Sequence, residues 1–133
     1  GVVIDFFHKL KKNHNQLEIL GNGSQKKSFL YIEDCINGVF LGIEKASDRT
    51  NIFNLGQGYA IEVNKVADIV IDEIGLKNVA RIYSGGEVGW KGDQKIVLLS
   101  TEKIKAFGWQ PKVSIEEGIR RTVRYLINSE KSS

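Results

Sequence analysis

An α/β fold is what three features of this sequence predict. Segments beginning near Gly1, Glu33, Glu62 and Ser114 carry apolar residues at helical spacing. Short apolar runs of strand length lie between them, at Leu17–Leu20, Ser28–Ile32, Asn51–Leu55, Ala80–Tyr83 and Ile96–Leu99. Glycines and capping residues mark many of the boundaries, so the two periodicities alternate along the chain as they do in α/β proteins.

Gly1 to Lys12 places Val3, Phe6, Phe7 and Leu10 on one helical face, and Asn13-His14-Asn15-Gln16 breaks it before the first strand. Between that strand and the next lies Gly21-Asn22-Gly23, a turn whose glycines reach positive φ without a Cβ penalty. Lys26-Lys27 follows. Free backbone amides beside two ammonium groups suit an anion, above all a phosphate, although a lysine pair is also ordinary solvated surface. The helix from Glu33 to Ala46 has Ile36, Val39, Phe40 and Ile43 as its inward stripe, with Glu33 and Asp34 as first-turn acids that complement the helix dipole.

The third helix, from about Glu62 to Ile74, turns Val63, Val66, Ala67, Val70 and Ile74 inward and stops at Gly75, with Glu62 a weak N-cap. A glycine-rich loop, Gly85–Gly92, separates the last two strand candidates; Ser100 caps a short helix that Gly108 ends. Ser114-Ile115-Glu116-Glu117 is a capping box for a final helix with Ile119, Val123 and Leu126 inward. Residues 1–128 form one domain, and Ser129–Ser133 reads as a frayed tail.

The 133 residues suffice for one core, and 41% hydrophobic with 26% charged residues is an ordinary globular balance. A net charge of +3, spread over separated basic pairs, gives no nucleic-acid stripe. The single cysteine, Cys35, excludes an internal disulfide and has no candidate base beside it, so it reads as an inert packed thiol. No apolar run is long enough for a membrane span, and a cytoplasmic setting is expected. His8 and His14 lack metal-ligand company. The chain starts at Gly1 without any methionine, which leads us to expect a piece of a longer protein.

Neither glycine cluster makes a dinucleotide fingerprint. Gly21-Asn22-Gly23 is followed by a strand, and Gly56-Gln57-Gly58 lacks the third glycine and the ribose-binding acid. No catalytic residue is assigned within the chain.

Leu17 to Asp34, LEILGNGSQKKSFLYIED, resembles the G-D-G-x-Q-x-R-D-F-x-Y-V-D-D segment of the extended short-chain dehydrogenase/reductases, the NAD-dependent nucleotide-sugar epimerases and dehydratases. Phe53–Gly58, Gly92-Asp93 and Ser100 through Pro111 are similar, in the same order, to three further motifs of that family. The resemblance covers its C-terminal half and is nearest to the UDP-glucose (UDP-galactose) 4-epimerases.

It implies a Rossmann-type parent, an isomerase of carbohydrate metabolism, whose NAD is bound outside this chain by a missing N-terminal half. This chain would then be the UDP-sugar-binding part, inactive alone. A 4,6-dehydratase, a reductase or a stand-alone binding module are the alternatives. Residue by residue, the resemblance puts Glu18 and Leu20 on the base wall, the former through its backbone, and Lys27 at a phosphate arginine. It puts Val63 beside the nucleotide and Trp90 at a second phosphate arginine, with Lys91 or Lys95 near enough to supply that cation. Ser28 stands where an aspartate is usual. Without the other half, the Val3-Phe6-Phe7-Leu10 stripe is expected to stay partly uncovered and to drive self-association.

Overall fold

The computed structural model describes residues 1–47, 52–86, 98 and 100–132. In chain order the elements are α1 (Val2–Lys12), β1 (Gln16–Ile19), β2 (Lys26–Lys27), α2 (Ile32–Lys45), β3 (Ile61–Glu62), α3 (Val63–Ile74), β4 (Ala80–Tyr83), α4 (Glu102–Lys105) and α5 (Ile115–Lys131). The α/β expectation holds. β1 and β4 run parallel, with Gln16 opposite Ala80 and Ile19 opposite Tyr83. β2 and β3 form a separate antiparallel pair in which Lys26 faces Glu62 and Lys27 faces Ile61.

α3 is the middle of the core and packs on both α1 and α5. The amphipathic periods explain why: Val63, Val66, Ala67, Ile69 and Val70 are all buried, as are Ile115, Ile119 and Val123 on α5. β1 alternates, with Leu17 and Ile19 in the core and Glu18 and Leu20 outside. Gly75 ends α3 at φ 88°, and its N–H donates to the carbonyls of Ile71 and Asp72. Ser114 caps α5 as expected, its Oγ accepting from the Glu117 N–H at 3.1 Å.

Two apolar stripes exchange roles relative to expectation. Val3, Phe6, Phe7 and Leu10 are buried within this chain, since α1 lies against α3, α5 and β1, so that stripe is not an open face. On α2 it is Ile36, Val39, Phe40 and Ile43 that are open, at 45%, 48%, 66% and 71% exposure. α2 instead buries Asp34, Gly38 and Gly42, which recur every fourth residue. A Cβ at Gly38 would stand 2.7 Å from Leu55 Cδ2 and 2.9 Å from Trp109 Nε1, and one at Gly42 would stand 3.2 Å from the Phe53 ring. The segment carrying Phe53 and Leu55 therefore approaches the α2 backbone through the glycines.

Four boundaries also differ. The strand expected at Ser28–Ile32 is only Lys26–Lys27, because α2 starts at Ile32. Residues 52–55 form no strand with any of the described residues, and Asn51 lies outside the described residues, as do most of Ile96–Leu99. Thr101, not Ser100, is the residue before α4, which has no side-chain cap. α5 continues to Lys131, where Glu130 pairs with Lys11 at 3.1 Å, so the expected frayed tail is mostly helix.

α3 and α5 are also joined by charge. Glu73 accepts from Arg124 at 2.5 Å and from Arg120 at 3.0 Å, and Arg120 reaches Asp72 at 2.8 Å. The Arg124 hydrogen bond lowers the Glu73 pKa, burial opposes it, and Arg120 adds to the lowering. A carboxylate whose pKa falls on folding stabilises the fold above its unfolded pKa, and the contribution disappears as pH drops through the folded value.

Two outcomes follow for the chain. Urea denaturation of Gly38→Ala should show a loss of about 1–3 kcal/mol from overpacking against Leu55 and Trp109, although alanine favours an isolated helix by up to ~1 kcal/mol. Acid titration of Glu73→Gln should give a shallower fall in stability below the ordinary glutamate pKa than the unaltered chain; parallel curves would mean that the pair contributes nothing.

Candidate anion site at the glycine turn

The turn between β1 and β2 is held from three sides. Gly21 (φ 85°) donates its N–H to Ser84 Oγ at 2.7 Å and accepts at its carbonyl from the Gly85 N–H at 2.9 Å. Asn22 Oδ1 accepts from both the Ser24 N–H and Ser24 Oγ, at 2.9 and 2.6 Å. Gln25 Nε2 donates to the Leu20 carbonyl at 2.7 Å. The third side is α3. Its first amides, Val63 and Asn64, donate to the carbonyls of Gln25 and Gly23, each at 2.9 Å. The helix that lacks a good side-chain cap is capped by the turn backbone instead.

This corrects the electrostatic picture of the turn. Its Gly21 and Ser24 amides are engaged internally, and it directs carbonyls, not amides, at α3. The positively charged side chains beside it are the two lysines. Gly23 (φ 79°) is required by crowding too, since a Cβ there would collide with Asn64 Oδ1. That oxygen accepts from the Tyr83 hydroxyl at 2.7 Å, and the Asn64 carbonyl accepts from Arg81, itself paired with Asp68.

The expected site residues separate into groups. Lys26 is exposed and sits across the ladder from Glu62, whereas Lys27 projects to the opposite face and is half-buried. Leu20 is exposed at the start of the turn. Glu18 shares its face of β1, but the Glu18 carbonyl accepts from Lys9 Nζ at 3.3 Å, so its backbone already has a cation partner. Val63 is 3% exposed and belongs to the core; its part in the turn is played by its N–H, not its side chain. Trp90, Lys91 and Lys95 lie outside the described residues. Ser28 Oγ donates to the Tyr59 carbonyl at 2.7 Å, tying the strand after the turn to the second glycine loop. A cleft of about 220 Å³ between these two segments is lined by Ser28, Phe29, Leu30, Leu55, Gly56 and Gln57, with Leu98.

Three residues escaped the sequence reading. Asp34, read as a dipole residue, is 3% exposed, and its two carboxylate oxygens accept the N–H groups of Lys112 and Val113 at 3.1 and 3.0 Å. Its carbonyl accepts from Trp109 Nε1 at 2.9 Å. Tyr59 accepts the Ile115 N–H and donates to Glu116 Oε2, both at 2.8 Å. Burial and then the Glu116 carboxylate raise its pKa, which keeps the phenol a donor. Asn64 carried no signal beyond its place at a helix start.

The chain is similar to known proteins in both sequence and fold. The profile described as GDP-mannose 4,6 dehydratase matches residues 2–122. A Methanocaldococcus jannaschii protein provisionally named UDP-glucose 4-epimerase is 30% identical over 132 residues, 99% of this chain and 41% of its own length. GDP-L-fucose synthase of Sinorhizobium fredii is 29% identical over 92% of this chain and 38% of itself. Among solved structures, the Thermotoga maritima UDP-glucose 4-epimerase with UDP-glucose superposes with a TM-score of 0.80 at 29% identity, over 97% of this chain and 40% of that one. The Bacillus anthracis dTDP-glucose 4,6-dehydratase with NAD shares the fold at a TM-score of 0.79 and 20% identity, over 98% of this chain and 40% of that one. The chain thus spans about two fifths of the length of these relatives.

The Asp34 clamp gives a graded expectation. Each backbone amide left unpaired and buried costs about 1–3 kcal/mol, so Asp34→Ala, which strands both, should lower stability more than Asp34→Asn, which keeps one acceptor. Chemical denaturation of the two variants checks the order.

Proposed function

Given that the chain belongs to the GDP-mannose 4,6 dehydratase family of extended short-chain dehydrogenase/reductases and covers its C-terminal part, we propose that it holds the nucleotide diphosphate of a UDP-sugar for a 4-epimerase. The observation that carries this reading is the asymmetry of the two lysines after the glycine turn. Lys27 is half-buried on a strand pinned at Ile61 and at Gln25, while Lys26 lies opposite an acid. A lysine on a paired strand offers its ammonium to a diphosphate from a defined direction. Leu20 and the outward face of β1 lie on the other side of the same turn, where a flat pyrimidine would rest on an apolar side chain. Trp90 and a lysine beside it complete the reading at the far phosphate.

NAD fits poorly on this chain. Gly56 and Gly58 take no left-handed φ and receive no close neighbour, and the first amides of α3 are already given to the carbonyls of Gln25 and Gly23. A pyrophosphate would have to displace those bonds. NAD is therefore assigned to a Rossmann half outside the chain, where it would supply hydride-transfer chemistry. The residues here contribute binding: energy from the nucleotide orients the sugar, a remote part of the substrate fixing the reacting centre. The chain by itself is read as non-catalytic.

A dehydratase or reductase is the second reading, favoured by the family profile's own description and by the GDP-L-fucose synthase match. Competition among UDP, GDP and dTDP for the protein that carries this chain separates them, since an epimerase of UDP-sugars should prefer UDP.

In that protein, calorimetric titration with UDP should show Lys27→Ala weakening binding by roughly tenfold to a hundredfold, the worth of one charge-assisted contact. Lys26→Ala should change little, and Lys27→Arg should hold or tighten binding through its planar fork. Equal losses from both alanine variants would place the diphosphate elsewhere.

A further inference from the structure

We infer that Lys9 selects the base of the bound nucleotide, its ammonium favouring the imide edge of uracil or thymine over guanine. The inference rests on the proposed reading of this chain as the holder of a nucleotide diphosphate, and it adds to that site a side chain from α1.

The edge of β1 away from β4 is where Lys9 acts. The carbonyls of Asn15 and Ile19 accept the N–H groups of Ala80 and Ser84, at 2.9 and 3.1 Å, and so face β4. A trans peptide directs its N–H opposite to its carbonyl, which turns the Leu20 N–H away from β4. The carbonyls of Glu18 and Leu20 lie on that same outer edge by strand alternation. Side chains reach both: Lys9 Nζ lies 3.3 Å from the first, and Gln25 Nε2 lies 2.7 Å from the second. Among the described residues no strand covers this edge.

Lys9 is held there by charge. Its ammonium lies 3.0 Å from Asp5 Oδ2 and 3.8 Å from Glu18 Oε1, and its side chain keeps 30% of its exposure. The contacts to Asp5 and to the Glu18 carbonyl use two of the three N–H groups of an ammonium, and a carbonyl oxygen has a second lone pair. Both groups can therefore take one partner more.

Lys9, the Glu18 carbonyl and the Leu20 N–H together offer a donor, an acceptor and a donor. A base resting on Leu20 with its polar edge towards the strand meets all three. Uracil and thymine present C=O, N3–H and C=O, which complements the set in full. Guanine presents O6, N1–H and a 2-amino group. Its first two groups suit the backbone pair as well as uracil does, but its amino group then meets the Lys9 ammonium, donor against donor. The backbone accepts either base, and the side chain decides.

Calorimetric titration of the protein that carries this chain with UDP, GDP and IDP tests this. IDP is GDP without the 2-amino group, so the pair isolates that group from ring size. The unaltered protein should bind UDP most tightly, and IDP about tenfold more tightly than GDP, the worth of one unfavourable polar contact. Lys9→Met should weaken UDP by about tenfold and bring IDP and GDP together, while Lys9→Arg, which keeps its donors, should preserve the order. GDP binding as tightly as IDP in the unaltered protein overturns the inference. So does a parallel loss for all three nucleotides in Lys9→Met, since Lys9 would then act only through the folding of β1. If Lys27→Ala weakens UDP while Lys9→Met changes no ratio, the diphosphate reading stands and this one falls. An unaltered protein that binds none of the three removes both.

Discussion

One buried carboxylate holds this structure to its connectivity. Asp34 sits in the first turn of α2, yet its oxygens are directed away from the amides of its own helix and accept two backbone N–H groups of residues 112 and 113. The segment it holds runs directly into Ser114, the cap of α5. The same segment accepts the Gln57 amide at the Val113 carbonyl, and Tyr59 seals the next residues by taking the Ile115 N–H. Three sequence regions that share no strand ladder, the starts of α2 and α5 and the second glycine loop, are thereby joined through side-chain to backbone bonds. A buried carboxylate is costly unless it is hydrogen-bonded, and here two backbone amides satisfy it.

The α/β class, five helices and both strands of the parallel pair could be read from the chain because each follows a local rule. Gly75 and Ser114 act through their own neighbours, and the stripe of α1 finds its core within 133 residues. The buried face of α2 escaped because hydrophobic periodicity assumes that the large apolar residues mark it. Its burial follows the i, i+4, i+8 series of Asp34, Gly38 and Gly42, and small residues announce close approach only when the approaching Phe53, Leu55 and Trp109 are known.

The candidate site was legible in its charges and less so in its backbone. Lys26 and Lys27 were separable by strand alternation alone, and the ladder with Ile61–Glu62 confirms their opposite faces. The direction of the turn's peptide groups was not readable. Glycines allow a phosphate-binding arrangement but equally allow carbonyls to point at a helix start, and α3, with only Glu62 before it, had amides in need of acceptors. Val63 shows the same limit. A position matched to a nucleotide-lining residue is here a core side chain whose N–H carries the contact.

The parallel pairing of β1 with β4 has a consequence for how such a chain is made. The turn after β1 is fastened to the residues after β4, with Gly21 bound to Ser84 across 63 positions of sequence. Everything from β2 to the end of α3 must leave the ribosome before that fastening exists. Until then, Leu17 and Ile19 have α1 beside them but not β4, and the backbone groups that β4 will pair are open to water or to another partner. Synthesis of this part therefore passes through a period in which β1 lacks its β4 partner, and a chaperone that held the stretch from β1 to α3 would shield the strand that borders the glycine turn.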